Sequence, residues 1–183
     1  MHDILVIGAG SIGERHIRCF LKTGRARASV CEIDRALLDR MEIDYDLSQS
    51  YGDLGDALSS KPKAVVIAAP AHLHISMAIR AAEAGCHLLI EKPLSTDIFG
   101  VEELKRRVLE QRLVAQVGYT LRHHPLVAKV KDEIVQGRWG LPLQLTIMSG
   151  QHFPAHRPAY REVYYARHET GGGAVWKGGD VSN

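Results

Sequence analysis

Ile4-Leu5-Val6-Ile7-Gly8-Ala9-Gly10-Ser11-Ile12-Gly13 is the stretch that decides the fold. Four consecutive apolar residues form the run expected of a strand covered on both faces, as in a parallel sheet. A Gly-x-Gly-x-x-Gly turn follows without a spacer. Behind it, Gly13, Ile17, Phe20, Leu21 and Gly24 fall on one helical stripe, with Gly24 as the stop. In such a turn Gly8 permits the tight bend, and Gly10 lets the backbone approach a pyrophosphate. Gly13 removes a side chain where helix meets strand. The helix N-terminus, with Ser11, Ile12 and Gly13 in its first turn, offers unpaired N–H groups and partial positive charge to phosphates. Alone, the glycine spacing would signal only a tight turn; between an apolar strand and an amphipathic helix it signals a dinucleotide site.

Working outward, residues 27–31 make a second strand that delivers Glu32, 19 positions beyond Gly13. A carboxylate there accepts hydrogen bonds from the adenosine ribose hydroxyls and repels a 2′-phosphate, so NAD is favoured over NADP. Arg35 keeps NADP open, because a nearby guanidinium can accommodate that phosphate. Asp34 fits a helix cap better than a second ribose ligand, and Leu37, Leu38 and Met41 give the helix behind it an apolar side. A short strand near Tyr51, a brief helix at 53–58, and a strand at 64–67 that ends at Ala69-Pro70 come next. An alanine-rich helix over about 72–84, closed by Gly85, leads to a fifth strand at 86–90. Ser95 or Thr96 then starts a helix with Ile98, Val101, Leu104 and Val108 on one side, before a sixth strand at 113–117. Strands alternating with helices of crossover length define an α/β fold, a Rossmann doubly wound parallel sheet.

Texture changes after Gly118. Pro125 opens a helix with Leu126, Val130 and Ile134 on one stripe, stopped at Gly137, and residues 141–149 alternate as a half-covered strand does. The expected organisation is a dinucleotide-binding domain over 1–120 and the start of an α/β substrate domain over 121–183.

Bulk properties narrow the partners. The 183 residues carry 23 Lys and Arg against 21 Asp and Glu, a net charge of +2, without a basic block. Nucleic acid and acidic membrane surfaces are therefore disfavoured as partners. No run approaches the ~18–20 apolar residues of a membrane span. The Met-His-Asp start lacks a signal-peptide pattern, which points to a cytoplasmic setting. Cys19, Cys31 and Cys86 form no Cys-x-x-Cys pair and read as core thiols. The histidine pairs at 72/74 and 123/124 are poorly spaced for one helical face, so no metal is expected.

Ala69-Pro70-Ala71-His72-Leu73-His74 after the fourth strand and Glu91-Lys92-Pro93 after the fifth extend the pattern, as do Gly118-Tyr119-Thr120-Leu121-Arg122 and Pro125 after the sixth. With the glycine turn, this set resembles the Gfo/Idh/MocA oxidoreductases, from Ile4 to about Gly173. The resemblance implies reversible hydride transfer between nicotinamide and a hydroxyl-bearing carbon of a sugar, cyclitol or related polyol. It implies homo-oligomers built through the C-terminal sheet. In that family the lysine matching Lys92 sits near nicotinamide and substrate, where an ammonium can stabilise developing alkoxide charge. Pro93 would fix its turn, a cis bond being one way. Glu91 either orients Lys92 or is structural. His74 matches a family histidine and counts among the cofactor-binding residues, although Ala71 stands where asparagine is usual. Arg122 either reaches the substrate or cofactor edge or serves as a surface ion-pair partner. Tyr160, Arg161 and Tyr164 are of the type that lines polyol sites.

The pattern breaks near the end. In the family, a glycine turn like Gly171-Gly172-Gly173 leads to an aspartate and, four residues later, an acid–base histidine; here Lys177 and Val181 occupy those places. The expectation is a truncated or frame-disrupted product that binds the cofactor without turning over polyols. By family role the reading is an NAD(P)-dependent sugar or polyol oxidoreductase, and the alternative is a catalytically silent nucleotide-binding fragment or subunit.

Overall fold

The computed structural model describes residues 1–146 and 148. They fall into two compact units, Met1–Gly118 and a second that begins at Tyr119.

The first unit is a single parallel sheet with helices between its strands. β1 (His2–Ile7), α1 (Ser11–Lys22), β2 (Ala26–Cys31), α2 (Arg35–Asp44), β3 (Ser50–Tyr51) and α3 (Leu54–Ser59) make the first half. β4 (Ala64–Ile67), a one-turn 3-10 helix (Ala71–Leu73), α4 (His74–Glu83), β5 (His87–Ile90), α5 (Val101–Glu110) and β6 (Ala115–Val117) make the second. The strand order is β3-β2-β1-β4-β5-β6, the doubly wound arrangement anticipated from the alternating pattern. Order reverses between β1 and β4, whose register sets Ile4 beside Ala64 and Ile7 beside Ile67. In doubly wound sheets the loops that follow such a switch point leave in opposite directions, and ligands bind between them at the carboxyl edge.

Strand alternation divides the core. Leu5, Ile7, Val65, Ile67, Leu88 and Ile90 pack with Leu54 and Leu58 of α3, Ile75, Ala78, Ala81 and Ala82 of α4, and Leu104 of α5. Ile4, Val6, Val30 and Val66 pack with Ile17 of α1 and with Leu38 and Met41 of α2. Each fully buried aliphatic side chain contributes ~1.5–3 kcal/mol, so this two-sided core is the main apolar contribution to the stability of the first unit. Cys31 and Cys86 are buried as expected, and burial pushes the Cys31 thiol up to about 11. Cys19 departs from the expectation and lies exposed on α1.

The stretch before α5 corrects one expectation. No helix starts at Ser95 or Thr96. The Ser95 hydroxyl instead accepts from the Asp97 N–H at 3.2 Å, and the Asp97 carboxylate accepts from the Phe99 N–H at 2.7 Å. Short polar side chains that satisfy nearby N–H groups in this way compete with helix. Gly100 then takes a left-handed φ of +77° as the N-cap, and α5 begins at Val101. Ile98 is consequently 91% exposed and does not join the stripe of Val101, Leu104 and Val108.

In the second unit a one-turn 3-10 helix (Thr120–His123) precedes α6 (Pro125–Val135), with Pro125 at its start. Gly137 follows with φ +67°. The stripe of Leu126, Val130 and Ile134 is exposed. Residues 141–146 carry no strand, against the expectation for 141–149. Alternation marks a face, but a strand also needs a neighbour for its N–H and C=O groups, and among the described residues of this unit there is none.

Candidate functional site

Three loops leave the carboxyl edge of the sheet side by side, after β1, β4 and β5. The first is the glycine turn. Gly8 has φ +94°, and a Cβ there would lie 2.8 Å from the Ala68 carbonyl oxygen, so β1 and β4 can adjoin only with glycine at this place. A Cβ on Gly13 would lie 1.8 Å from the Gly8 carbonyl oxygen, which no side chain tolerates. Gly10 is different. Nothing lies within 4 Å of its Cβ direction. Gly10 is the N-cap of α1 and supplies no side-chain cap, whereas Asp34 caps α2 and Asp53 caps α3. The first turn of α1, Ser11 to Gly13, thus presents its amides beside an open space, which is what a pyrophosphate requires.

Glu32, just past the end of β2, reaches this turn. Its Oε2 accepts from the Ala9 N–H at 2.7 Å and its Oε1 from the Asp34 N–H at 2.9 Å. The carboxylate therefore fixes the glycine turn, and each oxygen retains a second lone pair for a ribose hydroxyl. Arg35 pairs with Asp39 at 2.7 Å on α2.

The loop after β4 contains Ala69 and Pro70. Its Ala68 N–H donates to the Ile7 carbonyl at 2.8 Å, which carries the β1–β4 pairing to the base of the turn. The loop after β5 holds Glu91, Lys92 and Pro93, with a cis Lys92–Pro93 bond. Glu91 accepts from His16 Nε2 at 2.8 Å and, through Oε2, from the Lys92 N–H at 3.3 Å. Burial pushes the Glu91 carboxyl up, but the His16 hydrogen bond, the His16 charge, the Lys92 N–H and the Lys92 charge together hold it below its ordinary value. Gly118, past the end of β6, makes room for this carboxylate, since a Cβ there would lie 3.2 Å from Glu91 Oε1.

His74 has a task other than the expected contact with a cofactor. Its ring is 1% exposed. Nδ1 lies 2.8 Å from the Pro93 carbonyl oxygen and Nε2 2.8 Å from that of Ala69. Both nitrogens are engaged with backbone, so His74 braces the loops. Arg122 stands in the second unit, on its first helical turn. Tyr160, Arg161, Tyr164, Lys177 and Val181 lie outside the described residues.

His16 is the residue that the sequence pattern passed over. It lies three positions past Gly13 and beside the inward stripe, where Phe20 stacks on its ring at 6.3 Å between centroids. That position was the available signal: an imidazole one turn from the glycine turn, on the side that faces the sheet. Among the described residues no group of His, Cys, Asp and Glu could hold a metal ion. None of the described helices is long and apolar enough to cross a membrane.

Comparison with known proteins agrees with this geometry. The Gfo/Idh/MocA family model, described as an oxidoreductase family with an NAD-binding Rossmann fold, matches residues 2–119. The chain belongs to that family, and its first unit is the family's NAD-binding domain. The inositol 2-dehydrogenase of Corynebacterium glutamicum is 32% identical over 165 residues, covering 87% of this chain and 47% of that protein. The WlbA dehydrogenase of Bordetella pertussis, solved in complex with NADH and UDP-GlcNAcA, superposes with a TM-score of 0.70 at 28% identity, covering 75% of this chain and 43% of that one. The myo-inositol 2-dehydrogenase of Lactobacillus plantarum does so with a TM-score of 0.69 at 25% identity, covering 75% and 42%. The chain spans less than half the length of each of these relatives.

Proposed function

We propose that this chain supplies the cofactor half of an NAD-dependent oxidoreductase that moves a hydride between nicotinamide and a hydroxyl-bearing carbon of a sugar, cyclitol or related polyol. The observation that carries the proposal is the shared edge. An uncapped helix N-terminus beside an open Gly10 and a lysine turn leave the same side of one sheet. Membership of the family weighs for an oxidoreductase over a silent nucleotide-binding subunit, and the inositol 2-dehydrogenase relative supports the polyol class.

In this reading the amides of Ser11, Ile12 and Gly13 hold the pyrophosphate and Glu32 the adenosine ribose, with Ala69 and Pro70 lining the crevice. Bound NAD supplies the hydride acceptor. Oxidation of the carbinol would send the C–H electron pair to the nicotinamide as hydride and the O–H proton to solvent water, with negative charge building on oxygen as that proton is lost. The Lys92 ammonium, the proposed catalytic group, hydrogen-bonds that oxygen and stabilises the charge. Val181, at the place of the family's acid–base histidine, cannot accept the proton, so the chain by itself turns over slowly or not at all; general bases contribute typically ~10²–10⁴-fold. Arg122 would act from the second domain, proposed to run from residue 121, and homo-oligomers would form through that domain.

Calorimetry with NAD tests the core of the reading. Saturable binding at one site per chain is expected, and a folded chain with no NAD affinity would overturn it. A panel of inositols, aldoses and sugar acids, followed by absorbance of reduced nicotinamide, tests the substrate class. Any turnover found must disappear in Lys92→Met.

A further inference from the structure

The residues on either side of Lys92 are each held by a histidine from a different crossover helix. Glu91, before it, takes a 2.8 Å hydrogen bond from His16 of α1, the helix that opens on the glycine turn. Pro93, after it, has its carbonyl 2.8 Å from Nδ1 of His74, the first residue of α4, and the same ring reaches Ala69 in the loop after β4. We propose that His16 and His74 form a two-sided clamp that positions Lys92, tying the lysine turn to the phosphate-binding helix on one side and to the Ala69-Pro70 loop on the other. The proposal rests on the reading of Lys92 given above and adds two residues that act on it through the backbone and side chain of its neighbours.

Both rings are themselves held. His16 stacks on Phe20, and its side chain and that of Glu91 are 20% and 17% exposed, so the bond is largely sheltered from water. His74 is one of two polar or charged side chains among the buried described residues, and its nitrogens lie against the Pro93 and Ala69 carbonyls. The buried ring fills the space between the two loops and, in either neutral tautomer, donates to one of the two backbone carbonyls it lies against. Lys92 has a flexible four-carbon stem, and a site held to within a fraction of an ångström needs its backbone located by neighbours that do not move. The clamp supplies that from residues 91 and 93. It also makes the lysine turn sense the phosphate end of the site, because α1 carries both the open amides and His16.

Backbone ¹⁵N relaxation on the unliganded chain tests the clamp directly. The Lys92 amide should have a rigid order parameter of ~0.85, like the amides of β1. In His16→Phe, which keeps an aromatic on Phe20 but removes the donor, it should fall below ~0.6 while β1 stays rigid. His16→Gln, which can still donate to Glu91, should restore it. His74→Gln, which can donate to one carbonyl but cannot bridge both, should loosen the Leu94 and Lys92 amides together. Should His74→Gln lose dispersion across the whole spectrum, the two His16 variants decide. A Lys92 amide that stays rigid in His16→Phe, or loosens equally in His16→Gln, would overturn the clamp. The test needs no NAD, so failure of cofactor binding and failure of the clamp are read separately.

Discussion

Two helices of the first unit begin within one crossover of each other and begin differently. α2 starts at Asp34, whose carboxylate accepts from the Ala36 and Leu37 N–H groups at 2.9 and 3.3 Å. α1 starts at Gly10, with no side chain over its first amides. A capped start is self-sufficient, and an uncapped one leaves its donors and its dipole available. α4, α5 and α6 also start without a side-chain cap, so it is the open space at Gly10 within the glycine turn that sets α1 apart, and substitutions at the starts of α1 and α2 should fail in different ways. Gly13→Val should give the largest effect. Its Cβ would meet the Gly8 carbonyl at 1.8 Å, backbone that cannot swing aside, and the cost should exceed the ~1–3 kcal/mol of ordinary overpacking. Loss of the cooperative urea transition is expected; a wild-type midpoint would refute the close approach.

Gly10→Val should act on the ligand alone. Its φ of −61° suits any residue and its Cβ meets no protein atom, so the fold should lose no more than ~1 kcal/mol, the value of a helix cap. NAD affinity should fall by at least about 100-fold in calorimetry, because the branched side chain fills the space the pyrophosphate needs. Unchanged affinity would remove the glycine turn from the site. In the proposed reading Glu32 tunes the other end of the cofactor. NAD should bind at least about tenfold tighter than NADP, through ribose hydrogen bonds to Glu32 and its repulsion of a 2′-phosphate. Glu32→Gln should narrow that gap, and NADP binding as tightly as NAD to the parent chain would hand the decision to Arg35. Asp34→Ala sharpens the contrast from the capped side. It should cost ~0.5–2 kcal/mol in urea unfolding and leave NAD affinity within about twofold.

How much of this was legible in the sequence follows the range of the forces involved. The glycine turn could be read because each glycine answers to atoms a few residues away or to the strand beside it. The Asp34 cap was legible for the same reason. The bond between His16 and Glu91 joins positions 75 residues apart, and nothing in the spacing of either pairs them. His74 was placed at the right loop, but its contacts with the Pro93 and Ala69 carbonyls went unread, since a motif locates a residue without saying which way its ring faces. The stretch before α5 misled because Ile98 has helical spacing with Val101, and periodicity does not register that Ser95 and Asp97 satisfy the local N–H groups first. Residues 141–146 misled in the opposite sense: the alternation is real, but a strand is a property of two chains of backbone and only one was in view.

The smallest effect expected concerns what stands behind each helix start. α1 is tied at His16 to Glu91, and the tie shows in the Glu91 carboxyl, whose titration is displaced downward in the fold although burial alone would raise it. A carboxyl held below its unfolded value of 4.5 stabilises the fold at pH above that value. The contribution disappears as pH falls through the lower, folded value, where Glu91 takes up its proton and gives up the charge that His16 and Lys92 favour. Asp3 and Glu14 are displaced the same way, by Arg27 and by Tyr45 with Arg18, so acid destabilisation of the parent chain sums several groups. Glu91→Gln isolates one of them, because the amide occupies similar space and does not titrate. Urea unfolding free energies measured at steps between about pH 6 and 3 should fall less steeply for Glu91→Gln than for the parent, the gap between the curves being steady well above pH 4.5 and closing as pH falls below it. Parallel curves across the whole range would mean that Glu91 titrates alike in folded and unfolded chains. The tie between α1 and the lysine turn would then be a contact without electrostatic content.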